Sequence, residues 1–317
     1  MVNRLSTFLH LSPGILALIL AHTIWGINFI VAKVTLQEIP PYSLSFLRFF
    51  LALILLLPFI LIERKKMKFD LKDLPYLLLA GVFMTTFNIA LFYEGIIRSN
   101  PIDASVLSMI VPIVSLLIGW SILKEKIFTV NLVGLGFGLI GSLIVLGVPQ
   151  YLAGIGSLNS SSNLFGNLLL ILSAVFFVIG ASISRFYLKK YSSLLITTGM
   201  FITAALVFLL PAINEYLKNP TWVNNVSGLG IFGLIYIVIA SSISAFFLFE
   251  WGLMKLGVIK ADLFQYIEPL IATSLAVIIL GENLKYSLII GGVLIGLGVY
   301  WGTKGKEHHK LHKAHRH

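Results

Sequence analysis

Long apolar runs dominate the chain, and short charged or Pro-, Gly- and Asn-containing segments separate them. An α-helix needs roughly 20 apolar residues to cross a bilayer, and these runs are close to that length. They predict transmembrane helices, since a helix satisfies its own backbone polar groups within lipid. The pattern predicts ten spans, near residues 14–34, 43–62, 74–97, 103–123, 130–148, 164–188, 193–212, 229–254, 260–280 and 284–302.

Composition supports an all-α integral membrane protein. The 317 residues are 58% hydrophobic and 11% charged, whereas soluble domains are about 25% charged. The chain has no Cys, which excludes disulfides and thiolate metal sites. The first apolar run contains His22, Asn28 and Lys33 and is followed by further spans, so we interpret it as a span and not as a cleaved signal peptide.

The net charge of +10 is a topology signal. Basic residues cluster in alternate connections and not on one amphipathic face, so no nucleic-acid partner is predicted. The positive-inside rule predicts a multi-pass protein of the cell (inner) membrane with both termini in the cytoplasm. All but five of the 23 Lys and Arg residues fall on the predicted cytoplasmic side, the exceptions being Lys33, Arg48, Arg98, Lys218 and Lys285.

The two halves of the sequence repeat. A shift of 157 positions superposes Pro112 on Pro269, and it also aligns Gly95 with Gly252, Ala104 with Ala261 and Glu125 with Glu282. Each half holds an odd number of spans, so the copies must face opposite ways. The prediction is two inverted five-helix repeats, residues 1–148 and 164–302, followed by a basic, His-rich cytoplasmic tail over 303–317.

Several motifs carry a family resemblance. They are Trp25-Gly26-Ile27-Asn28-Phe29 with Lys33, the stretch from Pro40 and Pro41 to Arg48-Phe49, and the Ala104–Glu125 block with its copy Ala261–Glu282. With these motifs the chain resembles the EamA family of the drug/metabolite transporter superfamily over roughly residues 14–302. The resemblance implies a ten-helix bundle with a central cavity that exports amino acids or other small metabolites. The second half departs from the pattern, because no Arg mirrors Arg48.

Two ionisable residues in the predicted spans are candidates for proton or cation coupling. At 1.5 Å per residue, His22 and Glu268 each lie about 12 Å into the hydrocarbon core. Such residues are costly in lipid and often functional. The alternative is a pair of satisfied contacts between helices.

Six residues are candidates for a substrate cavity of aromatic walls and amide groups. The alternative for them is hydrogen bonding between helices. They are Trp25, Asn28, Asn88, Tyr236, Gln265 and Tyr266.

Proline and glycine mark further features. Pro112 and Pro269 lie near the predicted midplane, where they are either gating hinges or static kinks. The GxxxG spacings Gly134/Gly138 and Gly292/Gly296 fit internal packing, with a homodimer contact as the alternative.

The predicted function is a secondary transporter of small metabolites, an exporter working by alternating access, with proton coupling as one option. The sequence contains no HExxH, GxSxG or Gly-x4-Gly-Lys-Ser/Thr motif, so neither an enzyme, a metal, a cofactor nor ATP-driven transport is predicted. The partners expected are the lipid bilayer and a small-molecule substrate. An integral-membrane enzyme or a non-transporting scaffold is the alternative.

Overall fold

A computed structural model gives the structure of residues 12–63, 70–99, 101–145, 164–280 and 286–303. The predictions for the Pro149–Asn163 connection, for Glu282 and for the tail after Thr303 lie outside these residues. The described residues form ten helical rods and no β-strand. The prediction of ten helices is therefore confirmed within the described part of the chain.

The rods follow one another along the chain. Six are single α-helices. They are α1 Pro13–Thr35, α2 Pro41–Glu63, α5 Thr129–Val145, α6 Leu164–Tyr187, α7 Ser193–Lys218 and α10 Tyr286–Thr303. The other four are each built from three consecutive segments. Helix α3 consists of Leu74–Gly81, Val82–Phe87 and Asn88–Arg98, and α4 of Pro101–Leu107, Ser108–Ile110 and Val111–Ser121. Helix α8 consists of Gly228–Tyr236, Ile237–Ser244 and Ala245–Leu256, and α9 of Val258–Asp262, Leu263–Tyr266 and Ile267–Leu280.

Six of these helices, α1, α2, α3, α6, α7 and α8, are long and apolar enough to cross a bilayer. Their boundaries follow from local chemistry, because Ser12, Ser192 and Ser227 cap the helices that they precede. Each serine side chain accepts a hydrogen bond from a backbone N–H of the first turn. That α4, α5, α9 and α10 also cross the membrane stays a prediction from the sequence.

Four helices change their winding near the middle of the bundle. In α3 and α8 the central segments, Val82–Phe87 and Ile237–Ser244, are π-helical. In α4 and α9 a 3₁₀ segment interrupts the helix. Pro112 and Pro269 follow these 3₁₀ segments, in the first turn of the α-helix that resumes, where a missing N–H is tolerated.

Helices α5 and α10 pack together through glycine. A Cβ added at Gly134 would lie 2.5 Å from Gly302 Cα, and one added at Gly298 would lie 2.6 Å from Gly138 N. Such contacts allow two helix backbones to approach closely. The Gly134/Gly138 pair thus packs inside the bundle, whereas Gly296 has no atom within 4 Å of its Cβ position. A homodimer contact stays a prediction.

Arg185 and Lys190 lie at the end of the bundle where α1 begins. Lys190 Nζ donates to Asp73 at 2.7 Å. Hydrogen bonding to Asp73, and then to Tyr191, raises the pKa of Lys190 above its ordinary value, so this lysine stays charged. At the opposite end, Lys33 Nζ donates to three backbone carbonyls at the end of α3, at 2.6 to 2.9 Å.

Candidate substrate cavity

A central cavity opens between seven helices, α1 to α4, α6, α8 and α9. The volume that the centre of a water molecule can occupy in it is about 100 Å³. This is room for several waters or a small metabolite. Its apolar wall includes Trp25, Phe29, Phe92, Phe177 and Phe246. Its polar groups belong to Asn28, Arg48, Asn88, Ser108, Ser173, Ser241, Gln265 and Glu268.

The Trp25 indole is fixed in the cavity wall. Its Nε1 donates to the carbonyl of Ser241 at 3.1 Å. That carbonyl belongs to the π segment of α8, where backbone groups are displaced from regular α-helical bonding. Four rings surround the indole with centroids 5.3 to 5.7 Å away, those of His22, Phe177, Phe246 and Phe249.

Two asparagines present amide groups to the cavity. Asn88 follows the π segment of α3, and its Nδ2 donates to the Ser173 hydroxyl at 2.9 Å and to the Ser173 carbonyl at 3.0 Å. Asn28 is buried, and its Oδ1 has no hydrogen-bond partner among the described residues. An unpaired buried amide oxygen costs free energy, so this atom is available to a ligand.

The predicted coupling residues form a pair. His22 Nδ1 lies 2.8 Å from Glu268 Oε1, and the two side chains are 0% and 3% exposed. Gln265 Nε2 donates to the other carboxylate oxygen. His22 thus lies behind Glu268 as seen from the cavity, because Glu268 and Gln265 line it and His22 does not. The His22–Glu268 pair therefore lies next to the space where a ligand would bind.

Arg48 enters the same cavity from α2 and is 1% exposed. Its Nε donates to the Ser242 hydroxyl and its Nη1 to the Tyr93 hydroxyl, both at 2.9 Å. Its Nη2 reaches the Ser241 hydroxyl only at 3.5 Å. The guanidinium carbon also lies 5.0 Å from the centroid of the Phe49 ring.

Arg48 does not form an ion pair with Glu94, and it does not extend to the lipid headgroups. Glu94 pairs with Arg98, one turn further along α3, and Arg48 turns inward. Helix α2 is apolar on nearly every face, so the sequence does not specify which side of it faces the cavity.

Two of the six predicted cavity residues do not line it. Tyr236 donates its hydroxyl to the carbonyl of Ile24 at 2.8 Å, so it joins α8 to α1. Tyr266 packs instead between α5 and α10. Its ring lies so close to Gly138 of α5 that a Cβ added there would be 2.2 Å from it. The structure brings together the other four, Trp25, Asn28, Asn88 and Gln265, with Glu268.

Two further carboxylates are buried, and the sequence analysis did not select them as site residues. Asp262 accepts a hydrogen bond from the Ser115 hydroxyl, and Glu250 accepts one from the Ser184 hydroxyl. Both side chains are fully buried, and each keeps one oxygen without a partner among the described residues. Both residues lie near the end of a predicted span, where carboxylates are usually solvated, so their positions in the sequence did not mark them as buried.

The side chains that line the cavity are groups that can bind a small ligand. Within the described residues, no three His, Asp or Glu side chains come together in a group that could hold a metal ion. The cavity offers an aromatic wall, amides, one guanidinium and one carboxylate, which suits a small polar ligand with an apolar part.

An all-helical bundle with long apolar helices and a central polar cavity defines a membrane protein of the transporter class. The chain belongs to the EamA-like transporter family, whose family model matches residues 12–147 and 164–302. The family resemblance of the sequence motifs is therefore confirmed. The family points to a transporter and not to an enzyme.

Relatives and a solved structure agree with this class. The chain is 25% identical to an uncharacterized transporter of Clostridium kluyveri over 91% of this chain and 92% of that protein. It is 24% identical to the uncharacterized transporter YoaV of Bacillus subtilis, over 91% and 96% of the two chains. A crystal structure with 18% sequence identity matches 92% of this chain and 96% of its own with a TM-score of 0.72, which establishes the fold alone.

Proposed function

We propose that this protein is a secondary transporter that exports small metabolites, amino acids or related compounds, by alternating access. The observation that carries the proposal is the central cavity, which residues from both halves of the chain line together. Exchange of labelled for unlabelled solute across a liposome membrane tests it, since a scaffold or an enzyme does not exchange solute. Export as the direction rests on the family resemblance of the motifs.

The proposed architecture is two inverted repeats that meet at the cavity. The same 157-residue shift that superposes the sequence motifs carries Ile89 onto Phe246, Ser108 onto Gln265 and Val111 onto Glu268. All six of these residues line the cavity. The π segments of α3 and α8 and the 3₁₀ segments of α4 and α9 recur in the same pairs of helices. A site at the interface of two repeats is the common plan of secondary transporters.

Glu268 is the proposed coupling group. When Glu268 carries a proton, it can donate that proton to His22 Nδ1, and when it is ionised it can accept a hydrogen bond from protonated His22. A proton can therefore pass between the two side chains with little movement of heavy atoms, which changes the charge on Glu268 but not the net charge of the pair. Because Glu268 also lines the cavity, its charge acts directly on a bound solute.

Both termini are proposed to be cytoplasmic in the cell membrane. C-terminal reporter fusions after Asp70 and after the last residue are then expected to give green fluorescence and no alkaline phosphatase activity. A fusion within Gly154–Ser162 is expected to give the reverse, because the connection between the halves would be external. A cytoplasmic signal from that connection would contradict the inverted arrangement.

A further inference from the structure

Arg48 is a buried cation whose hydrogen-bonding capacity is only partly used. A guanidinium has five N–H donors, and Arg48 makes three hydrogen bonds to the described residues, all to hydroxyl groups. Two donors are left, one on Nη1 and one on Nη2. Among the described residues no carboxylate forms an ion pair with Arg48.

Burial of a charged guanidinium without an opposite charge is costly, because neutral hydroxyls replace its hydration only in part. The aromatic rings of Phe49 and Tyr93 lie beneath it, 5.0 and 5.8 Å from the guanidinium carbon, and they hold it in place. Arg48 is therefore a fixed cation in the cavity wall without a fixed counter-ion among the described residues.

We propose that Arg48 binds the carboxylate of an anionic or zwitterionic solute in the central cavity. The two remaining donors lie on Nη1 and Nη2, which form the planar fork that matches the two oxygens of a carboxylate. Binding would pair the buried charge and complete its hydrogen bonds. The proposal deepens the transport function and rests on it for its physiological meaning.

The charges of the cavity favour a monoanion over a phosphate. Of the described residues that line the cavity, Arg48 is the one cation and Glu268 the one acid. A phosphate dianion would meet a single cation and would be repelled by Glu268 whenever that carboxyl is ionised. A single carboxylate carries one negative charge, which balances the one positive charge of Arg48.

Thermal unfolding of the purified full-length protein in neutral detergent tests this site without a membrane or a gradient. The probes are 4-methylpentanoate and 4-methylpentanamide, which have the same shape but differ in charge, at pH 7 and equal ionic strength. We expect the carboxylate to raise the unfolding temperature of the parent and the amide to leave it unchanged. Inorganic phosphate is a third probe and is expected to have no effect.

Substitutions assign the effect to Arg48. In Arg48→Met the response to 4-methylpentanoate is expected to disappear. In Arg48→Lys, which keeps the charge but loses the fork, the concentration needed for half of the shift is expected to rise about tenfold. The control is Arg98→Met, which removes a cation that pairs with Glu94 outside the cavity and is expected to respond like the parent. If Arg48→Met does not fold, the response of Arg48→Lys and the comparison of carboxylate with amide in the parent still show whether Arg48 binds the carboxylate.

The results separate this site from the transport function. Equal shifts with the carboxylate and the amide, no shift with any probe, or a parent-like response in Arg48→Met would each overturn the proposal and leave transport standing. Stabilisation by phosphate at lower concentrations than by the carboxylate would also overturn it. A protein that binds the carboxylate through Arg48 but exchanges no solute in liposomes would instead refute the transport function.

Discussion

Replacing Glu268 with glutamine is expected to reduce uptake driven by a pH gradient by tenfold or more, while exchange of solute between the two sides continues. A glutamine amide mimics the neutral, protonated carboxyl but cannot gain or lose a proton. The amide oxygen can still accept the hydrogen bond from Gln265 Nε2, and the amide nitrogen can donate to His22. The fold and the cavity should therefore persist, and only coupling should be lost.

The measurement compares Glu268→Gln with the parent in liposomes that are diluted into a labelled amino-acid mixture, with and without a pH gradient. Glu94→Gln is the matched control, since it also removes one carboxylate, but from a pair with Arg98 outside the cavity. Such partly exposed pairs contribute little, so the control should behave as the parent does. A Glu268→Gln variant with normal dependence on the pH gradient would make Glu268 a structural residue.

Replacing Pro112 or Pro269 with alanine is expected to bias the protein toward opposite facing states. An alanine restores a backbone N–H that can bond to the carbonyl four residues earlier. Those carbonyls belong to Ser108 and Gln265, which both line the cavity. Each substitution should thus draw one 3₁₀ segment, in α4 or in α9, into regular helix and move a different cavity wall. Exchange should slow several-fold in both variants, because each stabilises one state over the other.

The readout is labelling of Asn28→Cys by a membrane-impermeant maleimide added from one side. The native chain has no Cys, so the label reports this position alone. Accessibility should rise about three- to tenfold in one proline variant and fall by a similar factor in the other, which corresponds to about 1 kcal/mol of bias. Pro58→Ala in α2 is the control, since Pro58 is exposed and does not line the cavity. Equal labelling in all variants would reduce both prolines to packing features.

The helices could be predicted from the sequence because apolar run length and punctuation are both local signals. Ser192, for example, precedes α7 and caps it. The predicted end of α7 at residue 212 was too early, since the helix continues to Lys218. Glu215 lies in this last part of the helix, and its carboxylate caps the start of α2, accepting from Ser43 N at 2.6 Å.

The cavity was predictable only in part. Asn28 and Asn88 were predicted from their depth, which can be counted along a helix, and Trp25 and Gln265 were added as aromatic and amide side chains that suit a cavity. The side of a helix that faces the cavity cannot be predicted from the sequence when all of its sides are apolar. Helix α2 is of this kind, and for this reason Arg48 was not predicted to lie in the cavity. Likewise Tyr266 has the depth of a cavity residue but fills the space that Gly138 leaves in α5.

The π segments had no signal of their own in the sequence. Val82–Phe87 and Ile237–Ser244 contain ordinary helix-compatible apolar and hydroxyl residues. The first of them also makes a tertiary contact, because the Thr85 hydroxyl donates to the carbonyl of Met200 in α7 at 3.1 Å. Tertiary interactions of this kind override local propensity.

Counterflow shows directly whether this chain carries solute across a membrane. Liposomes containing the purified protein are loaded with unlabelled amino acids at millimolar concentration and diluted into a trace of the same ¹⁴C-labelled mixture, without any ion gradient. If the chain is a carrier, label accumulates transiently inside above its external concentration, because the carrier leaves loaded with unlabelled solute and returns with label. Label that only equilibrates, at the rate of liposomes without protein, would contradict it.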